Sequence, residues 1–258
     1  MNELEYQMVE ILNDLKDKGA IEIKAEFEAE GSRLEELMRL SEVASKSGIP
    51  IILKIGGVEA ITDIYNALLI GARGIIAPMA ETPFAVSKFL NAIEVFVAED
   101  NRRDIDFAIN IETITAYQNL DEILALTNIS LLQGITIGRG DLVESMHYKR
   151  SDVDRDEILD ISKSIGRRVK DKGLKLAVGG SITGKSDPFL RSLINDGLLD
   201  KFETRKIAFN TRKCNDIVAG IEQALHFELL WMKSKRRYYH RIKIEDEQRI
   251  DALEKRLS

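Results

Sequence analysis

The chain alternates short runs rich in apolar and β-branched residues with longer amphipathic stretches, and this alternation restricts its fold more than any other feature. Strands that alternate with helices predict a parallel sheet covered by helices. The predicted strands are Ile21–Phe27, Ile49–Ile55, Gly74–Pro78, Phe107–Ile111, Leu131–Ile137, Leu174–Val178 and Lys201–Phe209. The predicted helices between them are Arg33–Ser47, Glu59–Ile70, Pro83–Ala98, Asn119–Leu126, Arg155–Lys172 and Pro188–Asp196.

The number of predicted strands is one short of a (β/α)8 barrel. Two explanations would complete the barrel. Either the first strand has degenerated and the N-terminal helix covers its place, or Lys201–Phe209 contains two short strands. An open, doubly wound sheet also fits the alternation, and we favour the barrel because of the residues at the strand ends.

The composition limits the class of protein. A chain of 258 residues has the right length for one barrel, and its net charge of -6 argues against nucleic acid as a partner. A single cysteine, Cys214, is typical of a reducing compartment. No stretch is apolar for long enough to cross a membrane, and the N-terminal segment lacks the features of a signal peptide. We therefore expect a cytoplasmic protein that does not bind membranes.

The C-terminal segment differs from the rest of the chain. A helical pattern begins at Asn215 and becomes highly charged in its second half, with only a sparse set of isoleucines and leucines. We divide the chain into a barrel, residues 1–232, and a charged helical arm, residues 233–258. The arm is either a solvated terminal helix or a contact with a neighbouring subunit, and the second interpretation predicts a homo-oligomer.

Two carboxylates follow adjacent predicted strands and form a candidate metal site. Glu112 ends the fourth strand, and Asp141 follows the fifth, within the sequence Gly138-Arg139-Gly140-Asp141. In a parallel barrel both would reach the same mouth, where two carboxylates can hold Mg²⁺ or Mn²⁺ and leave positions for water and substrate. The alternative is that each carboxylate caps the helix that follows it.

Charged side chains also lie on strands that should face the barrel interior. Glu22, Lys24 and Glu26 share one face of the first strand, which indicates either a polar barrel lumen or an edge strand in water. Lys54 follows an apolar strand and is a candidate for anion binding or for a Schiff base, or simply lies at the rim.

Glycines and cations at other strand ends are candidates for substrate binding. Gly138, Gly140 and Gly179 would let the backbone approach a ligand closely, and Arg139 and Arg205 would neutralise a carboxylate or phosphate. The three histidines show no metal-ligand spacing.

Three segments together resemble a known family. They are GARGIIAPMAET (residues 71–82), INIETITAYQNLDEILAL (109–126) and GITIGRGDLVESM (134–146). This chain resembles the HpcH/HpaI aldolase and citrate lyase β-subunit superfamily from about residue 21 to residue 209. The resemblance implies a (β/α)8 barrel that uses a divalent cation to bind pyruvate, oxaloacetate or a related 2-oxo acid as its enolate.

The resemblance also implies roles for individual residues. Glu112 and Asp141 match the metal-binding carboxylates, Glu26 matches an acidic residue near the metal-bound water, and Lys54 stands where the family commonly has an arginine for the substrate carboxylate. Phe27 stands where the aldolases have a histidine base. The expected reaction is therefore metal-assisted carbon–carbon cleavage or formation, with Lys24, or a metal-bound hydroxide oriented by Glu26, as the base.

Three rival functions remain open at this point. They are a Schiff-base lyase that uses Lys54 or Lys24, a coenzyme A thioester lyase, and a non-catalytic 2-oxo acid binding protein on the same barrel.

Overall fold

The barrel predicted from the sequence is present. A computed structural model describes residues 1–257 as one closed barrel of eight strands in sequential order. Strands β1 to β8 are Ala20–Glu26, Ile51–Lys54, Gly74–Ala77, Asp106–Ile111, Gly134–Gly138, Lys175–Gly179, Lys201–Glu203 and Ile207–Asn210. Helices α1 to α11 are Glu3–Asp17, Leu34–Ser47, Ile61–Leu69, Pro83–Phe96, Glu99–Arg102, Ile114–Gln118, Leu120–Leu124, Arg139–Ser145, Asp156–Asp171, Asp187–Asn195 and Ile217–Leu257.

The strand missing from the sequence prediction lies within the segment Lys201–Phe209. That segment forms β7 and β8, joined by the turn Thr204–Lys206, and β1 is a full barrel strand rather than a degenerate one. Seven strands are parallel, but β8 runs antiparallel to both β7 and β1. Three residues are too few for the crossover that a parallel neighbour needs, so the chain can only turn back on itself.

The strands divide the apolar side chains between two layers. Residues such as Ile109 and Ile111 point outward and are fully buried beneath the surrounding helices. The interior of the barrel holds a much smaller apolar cluster, made of Ile52, Ile76 and Ala208 with Ala108 packed against it. The interior positions nearer the strand ends are polar, and this is what opens a cavity there.

The last helix runs in an unusual direction because β8 is reversed. Helix α11 lies antiparallel to α1: Gln223 contacts Asp14 near the end of α1, and Ser234 contacts Asn2 at its start. It therefore passes towards the face of the barrel where β1 to β7 end. Its contacts with α2 continue as far as Tyr239, whose hydroxyl donates to Glu36 over 2.6 Å.

Beyond Tyr239 the helix is almost entirely exposed up to Leu257. The boundary that we placed at residue 232 falls inside this continuous helix, and the last contacts with the barrel lie about two turns further on. None of the helices in residues 1–257 is both long enough and apolar enough to span a bilayer.

Candidate active site

A cavity of about 400 Å³ opens where the parallel strands end. Its walls carry six acidic and four basic side chains, an excess of two negative charges when all are ionised. The acidic residues are Glu26, Glu28, Glu112, Asp141, Glu203 and Glu228. The basic residues are Lys24, Lys54, Arg150 and Arg205. Such an excess of negative charge in a confined space favours the binding of a cation.

Glu112 is the buried carboxylate on the β4 side of the cavity. Its Oε1 accepts a hydrogen bond from the Met79 backbone N–H (2.8 Å), and its Oε2 accepts one from Asn110 Nδ2 (3.0 Å). Burial raises the pKa of Glu112, although Met79, Lys54 and Asn110 each act to lower it. Among residues 1–257 it forms no ion pair with a lysine or arginine, so its direct polar contacts are these two hydrogen bonds.

The neighbouring strand is shaped to fit Glu112. A Cβ atom at Gly138, at the end of β5, would lie 2.6 Å from both Cβ and Oε2 of Glu112. Any side chain at position 138 would displace the carboxylate, so glycine is needed here for close approach. This steric reason differs from our prediction that Gly138 admits a ligand, although the residue does line the cavity.

Asp141 lies in the first turn of α8 and lines the same cavity. Its negative charge adds to the effect of burial in raising the pKa of Glu112. Among residues 1–257 it forms one ion pair, with Arg150, whose Nη2 lies 3.3 Å from Asp141 Oδ1, and both side chains are partly exposed. An exposed pair of this kind is worth at most about 1 kcal/mol, so Arg150 does not commit Asp141 to one position.

A buried ion cluster forms the opposite wall. Lys24 Nζ lies 3.3 Å from Glu26 Oε1 and 3.1 Å from Glu203 Oε2, and all three side chains are at least 90% buried. Burial alone would lower the pKa of Lys24, but Glu203 and Glu26 raise it well above its ordinary value. The same cluster lowers the pKa of both carboxylates against the opposing effect of burial. These ion pairs favour the protonated amine of Lys24 at neutral pH and argue against our prediction that it acts as a base.

Lys54 is neutralised in a similar way. Its Nζ lies 2.6 Å from Glu28 Oε2 and 3.8 Å from Glu26 Oε2, and its side chain is 8% exposed. Arg205 also contacts Glu26, at 3.2 Å through Nη1, but its side chain is 42% exposed and lines the cavity. Of these two cations, Arg205 has the greater capacity to bind an incoming anion.

Arg139 does not belong to the cavity wall, and its prediction as a catalytic and substrate-binding residue is wrong. Its side chain is fully buried beneath the loops that follow β5 and β6. The guanidinium donates to the carbonyl oxygens of Gly179 (3.3 Å) and Gly180 (3.1 Å) and forms an ion pair with Asp154. Arg139 thus fixes the loops around the cavity and has no free donor directed into it.

Phe27 also lies outside the cavity. Its side chain packs against the hydrophobic core under the helices, on the side of β1 opposite to Glu26. A histidine at position 27 would therefore face the core, and the base cannot simply be restored there. Cys214 is equally remote, and burial raises the pKa of its thiol to about 11, which excludes a reactive thiolate at neutral pH.

The cavity brings together nine of the ten residues predicted from the sequence. They are Lys24, Glu26, Lys54, Glu112, Gly138, Gly140, Asp141, Gly179 and Arg205. Among the lining residues that the sequence analysis missed are Glu28, Asn110, Arg150 and Glu228. Asn110 was detectable, because it lies two residues before Glu112 on the same face of a strand. Glu228 carried no such signal, since it lies in a helix far along the chain.

Two protein carboxylates fit a hard divalent cation. Mg²⁺ commonly binds through one or two carboxylates and keeps several waters, so it does not need a third acidic ligand. No group of three His, Cys, Asp or Glu residues able to hold a metal exists in the described part of the chain, which argues against a zinc-type site. In addition, Asn110 Oδ1 is buried beside Glu112 without any hydrogen-bond donor, so it can accept from a water on the cation.

The similarity of this chain to known proteins identifies its family. The sequence matches none of the curated proteins, but the family model described as HpcH/HpaI aldolase/citrate lyase matches residues 22–179, more than half of the chain. An HpcH/HpaI aldolase from Desulfitobacterium hafniense DCB-2 superposes with a TM-score of 0.61 at 14% identity, over 76% of this chain and 82% of that one.

Two synthases have a similar structure. Citrate synthase SbnG has a TM-score of 0.59 at 17% identity, over 87% of this chain and 97% of that one. Macrophomate synthase has a TM-score of 0.56 at 16% identity, over 90% of this chain and 82% of that one. At such identities these structures establish the shared fold, and the family model establishes the relationship. The chain belongs to the HpcH/HpaI aldolase/citrate lyase family.

Proposed function

We propose that this protein is a metal-dependent carbon–carbon lyase or aldolase that acts on a 2-oxo acid, with Mg²⁺ or Mn²⁺ held by Glu112 and Asp141. The observation that carries the proposal is a buried carboxylate without an ion-pair partner that lines the same cavity as a second carboxylate, and this cavity has an excess of negative charge. When bound, the cation would supply Lewis-acid stabilisation of the negative charge that develops on the 2-oxo acid.

The chain's own residues would bind and orient the substrate. Arg205 offers an exposed, planar guanidinium for the substrate carboxylate, whereas Lys54 is already paired with Glu28. Glu26 holds Lys24, Lys54 and Arg205 in place from one side of the cavity. The backbone of Gly140 and Gly179 lines the cavity without side chains that would restrict a ligand.

The buried ion cluster argues against Lys24 as the amine of the Schiff-base alternative. Formation of a Schiff base needs a neutral amine, and Glu203 and Glu26 keep Lys24 protonated. A structure of the Haloferax volcanii malate synthase in a ternary complex with pyruvate and acetyl-CoA is similar to this chain (TM-score 0.52, 13% identity, over 70% of this chain and 56% of that one). Use of a 2-oxo acid by this chain is consistent with that ligand.

The proposal is tested with the wild-type protein, Mn²⁺ and two probes. Calorimetry should detect oxalate binding only when Mn²⁺ is present, because two protein carboxylates leave coordination positions for a bidentate ligand. In D₂O, proton NMR should show metal-dependent exchange of the pyruvate methyl hydrogens. Equal oxalate binding without metal would contradict the metal site, and metal-dependent binding without exchange would identify a 2-oxo acid binding protein instead of an enzyme.

The exposed end of α11 supports our proposal of a homo-oligomer. Four large apolar side chains are 44–88% exposed in the part of this helix beyond Tyr239: Ile242, Ile250, Leu253 and Leu257. Burial of one such side chain in a partner contributes about 1.5–3 kcal/mol, so several together can hold two subunits after the cost of ordering. We propose that residues 240–258 contribute to this contact.

Truncation of the arm tests this contact. A chain ending at His240 keeps the contacts of Tyr239. Its particle mass, measured by light scattering, should correspond to fewer subunits than that of the full chain. The matched control is the full-length variant Lys243→Gln, which changes the charge of the arm but none of the four apolar side chains. If both proteins show the wild-type number of subunits, the arm has no role in assembly.

A further inference from the structure

Helix α11 brings one more side chain to the cavity. Leu225 and Glu228 are the residues of this helix that line the cavity wall. On either side of Glu228, Phe227 and Trp231 are 0% and 2% exposed, so the helix is firmly seated at this point. The position of Glu228 is therefore set by the packing of the helix and not by the conformation of a loop.

Glu228 differs from the other five carboxylates of the cavity in having no partner. Glu112 accepts two hydrogen bonds, and each of the other four forms an ion pair with a lysine or arginine. Within residues 1–257, Glu228 makes neither a hydrogen bond nor an ion pair, and its side chain is half-buried. A carboxyl group on a firmly packed helix that lines the cavity without a partner is free to exchange a proton with a bound reactant.

The surroundings of Glu228 suit proton transfer. Burial raises its pKa above the ordinary value; the charges of Lys206 and Arg205 lower it, and those of Glu30 and Glu26 raise it further. These four groups come from the β7–β8 turn, from β1 and from the loop after β1. A raised pKa brings the carboxyl group closer to neutral pH, where a general acid or base works best.

We infer that Glu228 is the general base and acid for the second reactant, the carbonyl compound that joins or leaves the 2-oxo acid. This inference rests on the proposed function. Glu112 and Asp141 follow β4 and β5, whereas Glu228 lies beside Arg205 at the β7–β8 turn. The 2-oxo acid and the carbonyl compound would thus occupy the two sides of one cavity.

The step is balanced for cleavage of a 4-hydroxy-2-oxo acid. The Glu228 carboxylate takes the proton of the 4-hydroxyl group, and the O–H electron pair forms the new carbonyl bond. The C3–C4 bond breaks, and its electron pair remains on the 2-oxo acid as the enolate, which then takes a proton from water. The hydroxide that remains takes the proton from Glu228, which returns to the carboxylate. Synthesis is the reverse, with protonated Glu228 as the acid. Enolisation of pyruvate alone does not use Glu228.

The test compares two reactions in one set of proteins, with Mn²⁺ present. The probes are pyruvate, for methyl exchange into D₂O, and 4-hydroxy-2-oxoglutarate, for cleavage to pyruvate and glyoxylate. Glu228→Gln should slow cleavage about 100-fold or more while exchange and oxalate affinity stay within about threefold of wild type. Cleavage by the wild type should rise with pH through the pKa of Glu228, Glu228→Asp should keep this rise at a lower rate, and Glu228→Gln should lose it.

The control is Glu222→Gln, which removes an exposed carboxylate from the same helix away from the cavity and should behave as wild type. Cleavage by Glu228→Gln at the wild-type rate overturns the inference but leaves the proposed function standing. The same holds if the wild type exchanges pyruvate protons yet does not cleave the probe. A wild type that neither binds oxalate nor exchanges pyruvate protons refutes both the proposed function and the inference.

Discussion

Glu112→Gln and Asp141→Asn are each expected to lower Mn²⁺ affinity by more than about 100-fold. Loss of a residue that only supports a metal ligand typically costs about 10–100-fold, and loss of one of two protein ligands should cost more. Glutamine keeps the shape of Glu112 and can still accept the hydrogen bond from Met79, so the fold should persist. Calorimetry with Mn²⁺ measures the affinity directly, without any assumption about the substrate.

The matched control for these variants is Glu144→Gln. Glu144 is an exposed carboxylate on the same helix as Asp141 and also contacts Arg150, so the variant changes the local charge without altering the cavity wall. We expect Mn²⁺ affinity close to wild type in this control. Unchanged affinity in the double variant of Glu112 and Asp141 would show that the cation, if one binds, is held elsewhere.

Lys24→Met is expected to destabilise the fold by about 3–5 kcal/mol, the usual effect of removing one partner from a buried ion pair. Glu203 is 1% exposed, and in residues 1–257 Lys24 is the cation within ion-pair distance of it. Neither oxygen of Glu203 accepts a hydrogen bond of good geometry, so its charge would be left uncompensated. Denaturant unfolding at pH 7 measures the loss.

The pH dependence distinguishes this effect from a simple packing defect. In the wild type the pKa of Glu203 is lowered from 4.5 by Lys24, so its contribution to stability is present above pH 4.5 and is lost as the pH falls through the lowered value. Without Lys24, burial should raise the pKa of Glu203. Protonation of Glu203 at lower pH would then remove the uncompensated charge from the variant. The difference in unfolding free energy should therefore shrink from pH 7 to pH 5, whereas a packing defect would stay constant.

A second change in the variant identifies the charge responsible. Lys24→Met combined with Glu203→Leu removes the stranded carboxylate and should recover part of the stability lost by the single variant. If the double variant is less stable than Lys24→Met by the full cost of Glu203→Leu alone, the two side chains do not interact.

The sequence predicts the barrel and most of the cavity wall because strand ends are visible in the pattern of residues. Glu112 directly follows β4 and Asp141 lies in the first turn of the helix after β5, and the carboxyl ends of parallel strands must meet at one face. The β7–β8 hairpin was harder to recognise, since Thr204–Lys206 contains neither glycine nor proline to mark a turn. The periodicity of the sequence therefore left two explanations for the missing strand open.

The predictions that the structure does not support concern charged side chains whose partners could not be recognised from the sequence. Arg139 stands between two glycines in a segment that looks like an exposed loop, but carbonyl groups from a distant loop and Asp154 enclose it. Lys24 looks like a free amine until the strand order brings β7, with Glu203, close to it. Such partners come from positions far apart in the chain, and periodicity within a segment carries no information about them.

The reversal of β8 also has a consequence for the order of folding. Strands β7 and β8 are separated by three residues and can pair as an isolated hairpin, which forms within about 1–10 μs. The pairing of β1 with β8 closes the barrel, and we call it the seam. It joins Ala20 to Phe209, which are separated by almost the whole barrel sequence, and it contains a register shift between Ala20 and Glu22. Loop-closure entropy opposes this contact most strongly. We therefore expect the seam to form last, and the barrel to open first along this line.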